Sequence, residues 1–466
     1  MTPLLAVLLL YVAAQLAIAV GVARRIRTES DYLVAGRSLG YPLAIASLFA
    51  TWFGAETCVG AAGEVYGDGL SAISSEPFGY GLCLVLMGLV FAAPLARRRL
   101  TTLADLFRER YSPGVERMAA LVLIPSSLFW AAAQVRAFAQ VLTTSSTWEL
   151  DTTLAVAALL VIGYAVFGGM LADAITDLIQ GVALVVGLGV LLAIFLGEVG
   201  GWSAALERID TARLRPFDRG DASWLATIEA WAVPVCGSVV ATELVARALS
   251  CRSPEVAKRS AIAAGVVYVL VGCVPVFLAL AGAGLVGSLD SPEQMLPALA
   301  LELLPAPLYA LFAGALVSAI LSTVDSALLT ASALLSHNVL LPVCGELGER
   351  AKVRLARGGV VVLGLCAYLM ARRADRIYDL IAESSAFGSA GALVLVAFGL
   401  FSKRGGAGAA YGALSCGLLA YVAGKLGALE YAFVLSLLAS LLGYGLGALL
   451  ENALRSEPGQ GLSARG

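Results

Sequence analysis

The sequence predicts an all-α polytopic membrane protein with about 13 transmembrane helices. Hydrophobic residues make up 59% of the 466 residues, and only 14% are Asp, Glu, Lys or Arg, whereas soluble domains carry about 25% charged residues. The mean hydropathy is +0.87. Apolar runs of roughly 18 or more residues recur along the whole chain, and each is long enough to cross a bilayer. So few charges cannot cover a water-soluble surface.

The predicted spans are bounded where an apolar run meets charge, proline or a polar cluster. The first run precedes Arg24, Arg25 and Arg27, whereas a cleavable signal carries its charges before the apolar run, so we interpret it as a retained helix. In order, spans 1 to 13 are 4–23, 42–62, 71–95, 118–142, 152–169, 176–197, 225–245, 260–286, 307–335, 358–371, 378–401, 407–424 and 430–450.

Lys and Arg concentrate in alternate loops, which predicts the orientation. With the N-terminus outside, the inner loops and the tail hold roughly 22 basic residues and the outer loops about 8. We therefore expect an integral plasma or inner membrane protein, with the N-terminus outside and the C-terminus cytoplasmic.

Two spans are interrupted near their middle. Span 2 carries Gly54, Glu56 and Thr57 there, and span 7 carries Pro234 to Ser238. Such breaks can expose backbone groups to a solute. For a single break, a helix kink or close packing is the better explanation, and for the pair the two explanations are equally good. The breaks lie five spans apart in oppositely directed helices. This predicts one transporter domain, 1–466, with an extra helix 4–23, inverted repeats 42–197 and 225–401, two helices in 407–450 and a cytoplasmic tail 451–466.

Ionisable side chains within spans are costly and commonly mark a transport pathway. For Asp177, Glu229 and Glu243 an interfacial position is the alternative interpretation. The set comprises Glu56, Glu76, Arg136, Asp177, Glu229, Glu243, Asp325 and Glu383.

Span 9 carries a polar helix face that favours a cation site. Ala319, Ser322, Thr323 and Ser326 follow i, i+3, i+4, i+7 spacing and share that face. With nearby Asp325 they supply hard oxygen ligands, which suit Na⁺ as they suit other hard cations. The alternative is that the hydroxyls bond back to carbonyls four residues earlier.

Several stretches together resemble the sodium:solute symporter family, which includes sodium/glucose, sodium/proline and sodium/sialic acid cotransporters. The resemblance implies a LeuT-type fold of two inverted five-helix repeats with one extra N-terminal helix. The matching stretches are 53–57, 63–67, 100–111, 168–177, 247–254, 321–326 and 383–389.

The resemblance also implies a Na⁺ between spans 2 and 9. Its ligands would be carbonyls at Ala50, Phe53 and Ala319 and hydroxyls at Ser322 and Thr323. Some family members bind a second cation, and the matching positions are Asp177, Asp325 and Ser326. Because Asp325 stands where a hydroxyl can occur, it could strengthen that site or bind a proton instead.

The solute positions implied by the resemblance vary more between members. Arg136 resembles an arginine that binds a solute carboxylate, and pairing with Glu56 or Glu76 is the alternative for this side chain. The solute candidates are Glu56, Thr57, Glu76, Arg136, Gly237, Ser238 and the vicinity of Glu383.

These features predict a Na⁺-coupled symporter that imports a small organic solute, and not an enzyme. Proton coupling and a solute sensor of the same fold are the alternatives. A membrane hydrolase is the remote alternative and would need Asp177 with Asp325 as an aspartyl pair, or a Ser with His337 as base, but His337 lies at the cytoplasmic end of span 9.

The remaining composition limits the cofactors and partners. The eight Cys form no CxxC pair and His337 is the only His, which argues against a zinc or haem site. No basic tract could follow a phosphate backbone. We expect Na⁺ as the coupling ion, no other cofactor, no nucleic acid and no obligate protein partner.

Overall fold

The computed structural model describes residues 3–456 except 55, 146–147, 219, 221, 288, 290 and 375–376. The predicted tail beyond Ser456 lies outside this range. The helices are α1 (Pro3–Ala23), α2 (Glu29–Val34), α3 (Tyr41–Trp52), α4 (Ala61–Asp68), α5 (Phe78–Leu86), α6 (Ala92–Arg97), α7 (Leu103–Arg110), α8 (Pro113–Ser145), α9 (Leu150–Val199), α10 (Trp202–Glu207), α11 (Trp224–Ala232), α12 (Thr242–Ser250), α13 (Pro254–Gly282), α14 (Met295–Leu303), α15 (Ala306–Ala333), α16 (Leu341–Cys344), α17 (Glu349–Arg373), α18 (Ile377–Ala386), α19 (Ser389–Phe401), α20 (Ala407–Leu426) and α21 (Ala432–Ser456).

Short π-helical and 3₁₀-helical turns and one strand pair complete the described elements. The strands, β1 (Leu70–Ser71) and β2 (Leu214–Arg215), pair in parallel. The π-helical turns are Glu56–Gly60, Met87–Phe91, Val233–Gly237 and Leu334–Leu340.

Ten helical segments of the described chain are long and apolar enough to cross a membrane, so the predicted all-α polytopic membrane fold is confirmed. Helix α9, with 50 residues, covers predicted spans 5 and 6 and is broken at Gly169. The shorter apolar helices Ala13–Ala23 and Tyr41–Trp52 lie in predicted spans 1 and 2. The number of 13 crossings and the division into repeats stay predictions.

Both predicted interruptions are present. Helix α3 ends at Trp52, and the Gly54 amide donates to the Trp52 carbonyl at 3.0 Å instead of continuing the helical pattern towards Ala50. The chain resumes in the π-helical turn Glu56–Gly60. In span 7, a second π-helical turn at Val233–Gly237 separates α11 from α12. The backbone is therefore irregular at both places where a solute could contact it.

Glu229, on α11, is half-buried and caps another helix. Its two carboxylate oxygens accept hydrogen bonds from the amides of Phe433 and Val434, at 2.7 and 2.8 Å. These amides belong to the first turn of α21, where an anion is favoured by the helix dipole. The carboxylate therefore has a structural role in joining α11 to α21.

The break in α9 requires a glycine. Gly169 has φ +61°, and a Cβ built on it would lie 2.8 Å from the Tyr32 carbonyl oxygen. The Tyr32 hydroxyl in turn donates to the Ala165 carbonyl at 3.2 Å. The helix thus bends at Gly169 against Tyr32, with no room for a side chain.

We expect Gly169→Ala to destabilise the protein by at least about 2 kcal/mol, because positive φ costs roughly 1–2 kcal/mol in a residue with a Cβ and the methyl group also meets the Tyr32 carbonyl. Gly163→Ala is the matched control, since a Cβ on Gly163 meets nothing within 4 Å. Thermal unfolding in detergent measures both. Equal unfolding temperatures for the two variants would contradict this account.

Candidate ion and solute site

The broken end of α3 faces the polar face of α15. The Thr323 hydroxyl donates to the Ala319 carbonyl at 3.0 Å and lies 3.4 Å from the Thr51 carbonyl. A Cβ on Gly54 would lie 3.2 Å from Thr323 Oγ1. The structure therefore brings the turn that contains Thr51 and Gly54 together with Ala319 and Thr323.

Ser322 connects this place to a buried carboxylate. Its hydroxyl donates to Asp177 Oδ1, and Asp177 Oδ2 accepts from the Ser47 hydroxyl. Donating a proton leaves the lone pairs of Ser322 available to a cation. Asp177 is fully buried, so it does not occupy the interfacial position that the sequence left open.

Arg247 joins four helices in the interior. The guanidinium of this fully buried residue contacts Asp173 Oδ2 at 2.7 Å, Asp177 Oδ2 at 3.3 Å and the Ser326 hydroxyl. Its Nε donates to the Ser47 hydroxyl at 2.9 Å. We call Arg247, Asp173, Asp177, Ser326 and Ser47 the Arg247 cluster.

Sequence reasoning missed Asp173 and Arg247. Predicted span 7 ends at residue 245, which puts Arg247 in a loop. In the structure Arg247 belongs to α12, whose side chains are all buried. Asp173 and Asp177 are four residues apart in α9 and therefore share a helix face. This spacing was the feature of the sequence that could have indicated a pair of neighbouring carboxylates.

Asp325 lies beside the Arg247 cluster without joining it. Its charged neighbours are Asp173, Asp177 and Arg247. Neither carboxylate oxygen has a hydrogen-bond partner among the described residues. Asp325, Asp177 and Ser326 are thus close together, as the second-cation hypothesis requires, but a guanidinium lies between two of them.

A cavity of about 30 Å³ lies next to the breaks in spans 2 and 7. It is lined by Trp52, Trp130, Ser238, Glu243 and Ser385, among others. A water molecule needs roughly 10–15 Å³ in this measure, so the cavity is large enough for water but too small for an organic solute in this conformation. The surrounding side chains must separate before a solute can bind.

Gly237 and Ser238 line this cavity. The Ser238 hydroxyl is buried without a hydrogen-bond partner among the described residues, which leaves it available to a solute. A Cβ on Gly237 would lie 2.4 Å from the Ser385 carbonyl oxygen. The second break thus packs directly against the backbone of α18.

Glu243 faces the same cavity from the first turn of α12. Its Oε1 accepts from the hydroxyls of Ser127 and Thr330. Trp52 and Trp130 lie opposite in an edge-to-face pair with ring centroids 5.4 Å apart, and Tyr80 stacks on Trp52. The cavity therefore combines aromatic rings with a carboxylate.

Thr57 and Glu76 meet at Tyr268, which sequence reasoning also missed. The Tyr268 hydroxyl contacts Thr57 Oγ1, lies 3.2 Å from Glu76 Oε2 and lies 3.4 Å from the Trp52 carbonyl. Its ring packs edge-to-face on Phe53, with centroids 5.2 Å apart. Tyr268, Thr57 and Glu76 thus form a hydrogen-bonded group that contacts the end of α3 at Trp52.

The other solute candidates lie elsewhere. Glu383 accepts from the Tyr421 hydroxyl at 2.8 Å and pairs with Lys425 at 2.6 Å, although its neighbours Ser384 and Ser385 line the cavity. Arg136 donates to the Ala371 carbonyl at 2.9 Å and is not among the residues lining the cavity. The side chain of Glu56 lies outside the part that the structure describes.

His337 belongs to a separate polar network. Its ring nitrogens contact Glu29 Oε1 at 2.9 Å and Asp105 Oδ1 at 3.3 Å. Burial opposes ionisation of Asp105, but the contact with His337 and the amides of Thr101 and Thr102 lower its pKa below the ordinary value. A hydrolytic base needs a free ring nitrogen, and both nitrogens of His337 face carboxylates.

We expect Tyr268→Phe to cost about 1–3 kcal/mol of stability, because it leaves Thr57 and Glu76 with an unmet hydrogen bond while keeping the ring against Phe53. Tyr411→Phe is the control, since Tyr411 is 39% exposed. Thermal unfolding in detergent compares them. A Tyr268→Phe protein as stable as the control would show that the hydroxyl does not brace the break.

Comparison with known proteins places this geometry among transporters. A model of the sodium:solute symporter family matches residues 32–419. The high-affinity choline transporter 1 of Drosophila melanogaster is 27% identical over 369 residues, which cover 76% of this chain and 59% of that protein. The sodium/pantothenate symporter of Escherichia coli is 26% identical over 455 residues, covering 91% and 92%. The chain thus spans about six-tenths of the choline transporter and nearly all of the pantothenate symporter.

Two solved structures share the fold. A Na⁺-coupled sialic acid symporter in a substrate-bound, outward-open state superposes with a TM-score of 0.85 at 20% identity, over 96% of this chain and 97% of that one. Mhp1, a nucleobase-cation-symport-1 family transporter in a closed conformation, gives 0.64 at 16% identity, over 92% and 96%. The helix arrangement is therefore one that these transporters have in common.

Proposed function

Because the chain belongs to the sodium:solute symporter family, we propose that it imports a small organic solute together with Na⁺ by alternating access. The family resemblance of the sequence is confirmed. The observation that carries the proposal is the broken end of α3 against the hydroxyl face of α15, with the Thr323 hydroxyl 3.4 Å from the Thr51 carbonyl. The proposed orientation has the N-terminus outside and the C-terminus cytoplasmic.

The proposed Na⁺ ligands are the carbonyls of Ala50, Phe53 and Ala319 and the hydroxyls of Ser322 and Thr323. These are hard oxygen donors. Asp177 would polarise the Ser322 oxygen through the hydrogen bond that it accepts, as a carboxylate behind a metal ligand commonly does. It would also supply a nearby negative charge.

Coupling in this scheme needs no covalent step. Na⁺ and solute would each stabilise the same closed arrangement of the two broken helices, so each would raise the affinity of the other. At a membrane potential of 100 mV, one inward charge supplies about 2.3 kcal/mol, or ~50-fold accumulation of a neutral solute.

We expect Thr323→Val and Ser322→Ala each to raise the Kd for Na⁺ at least about 10-fold, because each removes an oxygen ligand without a large change in volume. Equilibrium binding of ²²Na⁺ to purified protein measures this without knowledge of the solute. Ser336→Ala is the control, since its buried hydroxyl only bonds back to the Ser332 carbonyl at 2.6 Å. Unchanged Na⁺ affinity in both variants would remove the ion from this place.

Proton coupling remains the second candidate, because Asp325 is buried with no hydrogen-bond partner among the described residues. Uptake into proteoliposomes distinguishes the two. A Na⁺ gradient at constant pH should drive solute uptake, and a pH gradient without Na⁺ should not drive it. Solute binding without uptake under either gradient would indicate a sensor.

We further propose that the solute is a small organic cation. Two indole rings line the cavity, and cations bind favourably against aromatic faces. Glu243 also lies in the cavity wall. A carboxylate in the wall favours a cation over an anion. The similarity to choline transporters supports the same class.

We expect choline, used as the probe, to bind and to be taken up in Na⁺, and Trp130→Leu to raise its Kd about 5-fold to 30-fold, the loss of roughly 1–2 kcal/mol of cation–π attraction. Trp130→Phe should retain part of this affinity. Trp202→Leu is the control, because Trp202 is 57% exposed. Uptake of pantothenate, sialic acid or proline with no binding of choline would overturn the organic-cation proposal.

A further inference from the structure

Two residues in the cavity wall carry buried polar atoms that no described protein group satisfies. Trp52 is 5% exposed and Ser238 is fully buried, and both line the cavity. Neither the indole Nε1 of Trp52 nor the hydroxyl of Ser238 has a hydrogen-bond partner among the described residues. Buried polar groups in proteins are almost always hydrogen-bonded, so two unmet groups in one wall indicate a place where a ligand supplies the partner.

Other hydroxyls of the same wall already have partners within the protein. Thr51 donates to the Ser47 carbonyl at 2.6 Å, and Ser389 donates to the Ser385 carbonyl at 2.8 Å. The Ser385 hydroxyl lies 3.0 Å from the Tyr80 hydroxyl. The two unmet groups thus differ from the neighbouring hydroxyls.

The chemistry of the two groups limits what can satisfy them. An indole N–H can only donate a hydrogen bond, whereas a serine hydroxyl can donate or accept one. The ligand must therefore bring an acceptor oxygen to Trp52. Glu243 lies in the same wall, and like charges repel strongly where water is excluded, which disfavours a carboxylate. A neutral oxygen, in a hydroxyl or a carbonyl group, suits both unmet groups.

We propose that Trp52 Nε1 and the Ser238 hydroxyl bind a neutral oxygen of the solute, so that the transported cation carries a hydroxyl or carbonyl group in addition to its charged centre. This inference rests on the proposed organic-cation solute. Aromatic faces attract the positive charge but do not distinguish the rest of the molecule. A site built to hydrogen-bond a substrate group rejects an analogue that lacks the group, because its buried polar atoms are then left unpaired.

The test compares two cations that differ at one position. Choline carries a hydroxyl where propyltrimethylammonium carries a methyl group, and both have the same charge. We expect the wild type to bind choline with a Kd about 10-fold lower, measured by titration calorimetry of the purified protein in Na⁺. Glycine betaine, which carries a carboxylate near that position, should bind more weakly than choline.

Two substitutions assign the preference to the proposed residues. Trp52→Phe removes the N–H and keeps an aromatic ring, and Ser238→Ala removes the hydroxyl. Together they should reduce the preference for choline to within about 2-fold. The ratio of the two Kd values is the readout, because a general loss of affinity affects both cations alike. Ser440→Ala is the matched control, since its hydroxyl is also buried without a described partner but does not line the cavity. It should keep the full preference.

The outcomes separate this inference from the proposed function. If the wild type binds neither cation, the organic-cation proposal is overturned and this inference with it. Equal affinity for the two cations in the wild type overturns this inference alone, and that result needs no variant to fold. Tighter binding of glycine betaine than of choline, or a preference that persists in a folded double variant, also overturns it. A preference near 10-fold that the double variant loses supports it.

Discussion

The position of the Arg247 guanidinium is the constraint on which the interior of this protein depends. One side chain contacts Ser47 on α3, Asp173 and Asp177 on α9 and Ser326 on α15, and it is itself carried by α12. Removing one partner from such a buried set leaves an uncompensated charge, which costs about 3–5 kcal/mol. The ion pairs and hydrogen bonds of Arg247 therefore fix the relative positions of the four helices, in addition to apolar packing.

The Arg247 contacts also determine the geometry of the candidate ion site at the end of α3. Asp177 is fixed by Arg247 and Ser47, and it in turn orients the Ser322 hydroxyl. Thr323, on the same face of α15, meets the end of α3 where the helical bonding stops. Behind that end, Tyr268 joins Thr57 and Glu76. The irregular backbone thus lies between two polar networks, which satisfy groups that lipid could not.

Sequence reasoning predicted the class of fold correctly, and it predicted a candidate site at the two helix breaks, both for physical reasons. Apolar runs report the spans because the bilayer admits little else, and Gly54 and Pro234 mark the breaks because each weakens helical bonding. The hydroxyl face of α15 follows from helical periodicity. Arg247 and Asp173 were not predicted as site residues. A charged residue near the end of an apolar run has the same sequence pattern whether its side chain lies among the lipid headgroups or inside the protein. Only the packing of α12 against α3 and α15 decides between these.

The contact between Glu229 and α21 has a mechanical consequence. Helix α11 forms one half of the interrupted span 7, and its carboxylate holds the first amides of α21, at 2.7 and 2.8 Å. Hydrogen bonds to a charged group contribute about 1.5–3 kcal/mol each. In the proposed alternating access, movement of α11 would therefore either carry α21 with it or break both hydrogen bonds, although α21 lies outside the predicted repeats.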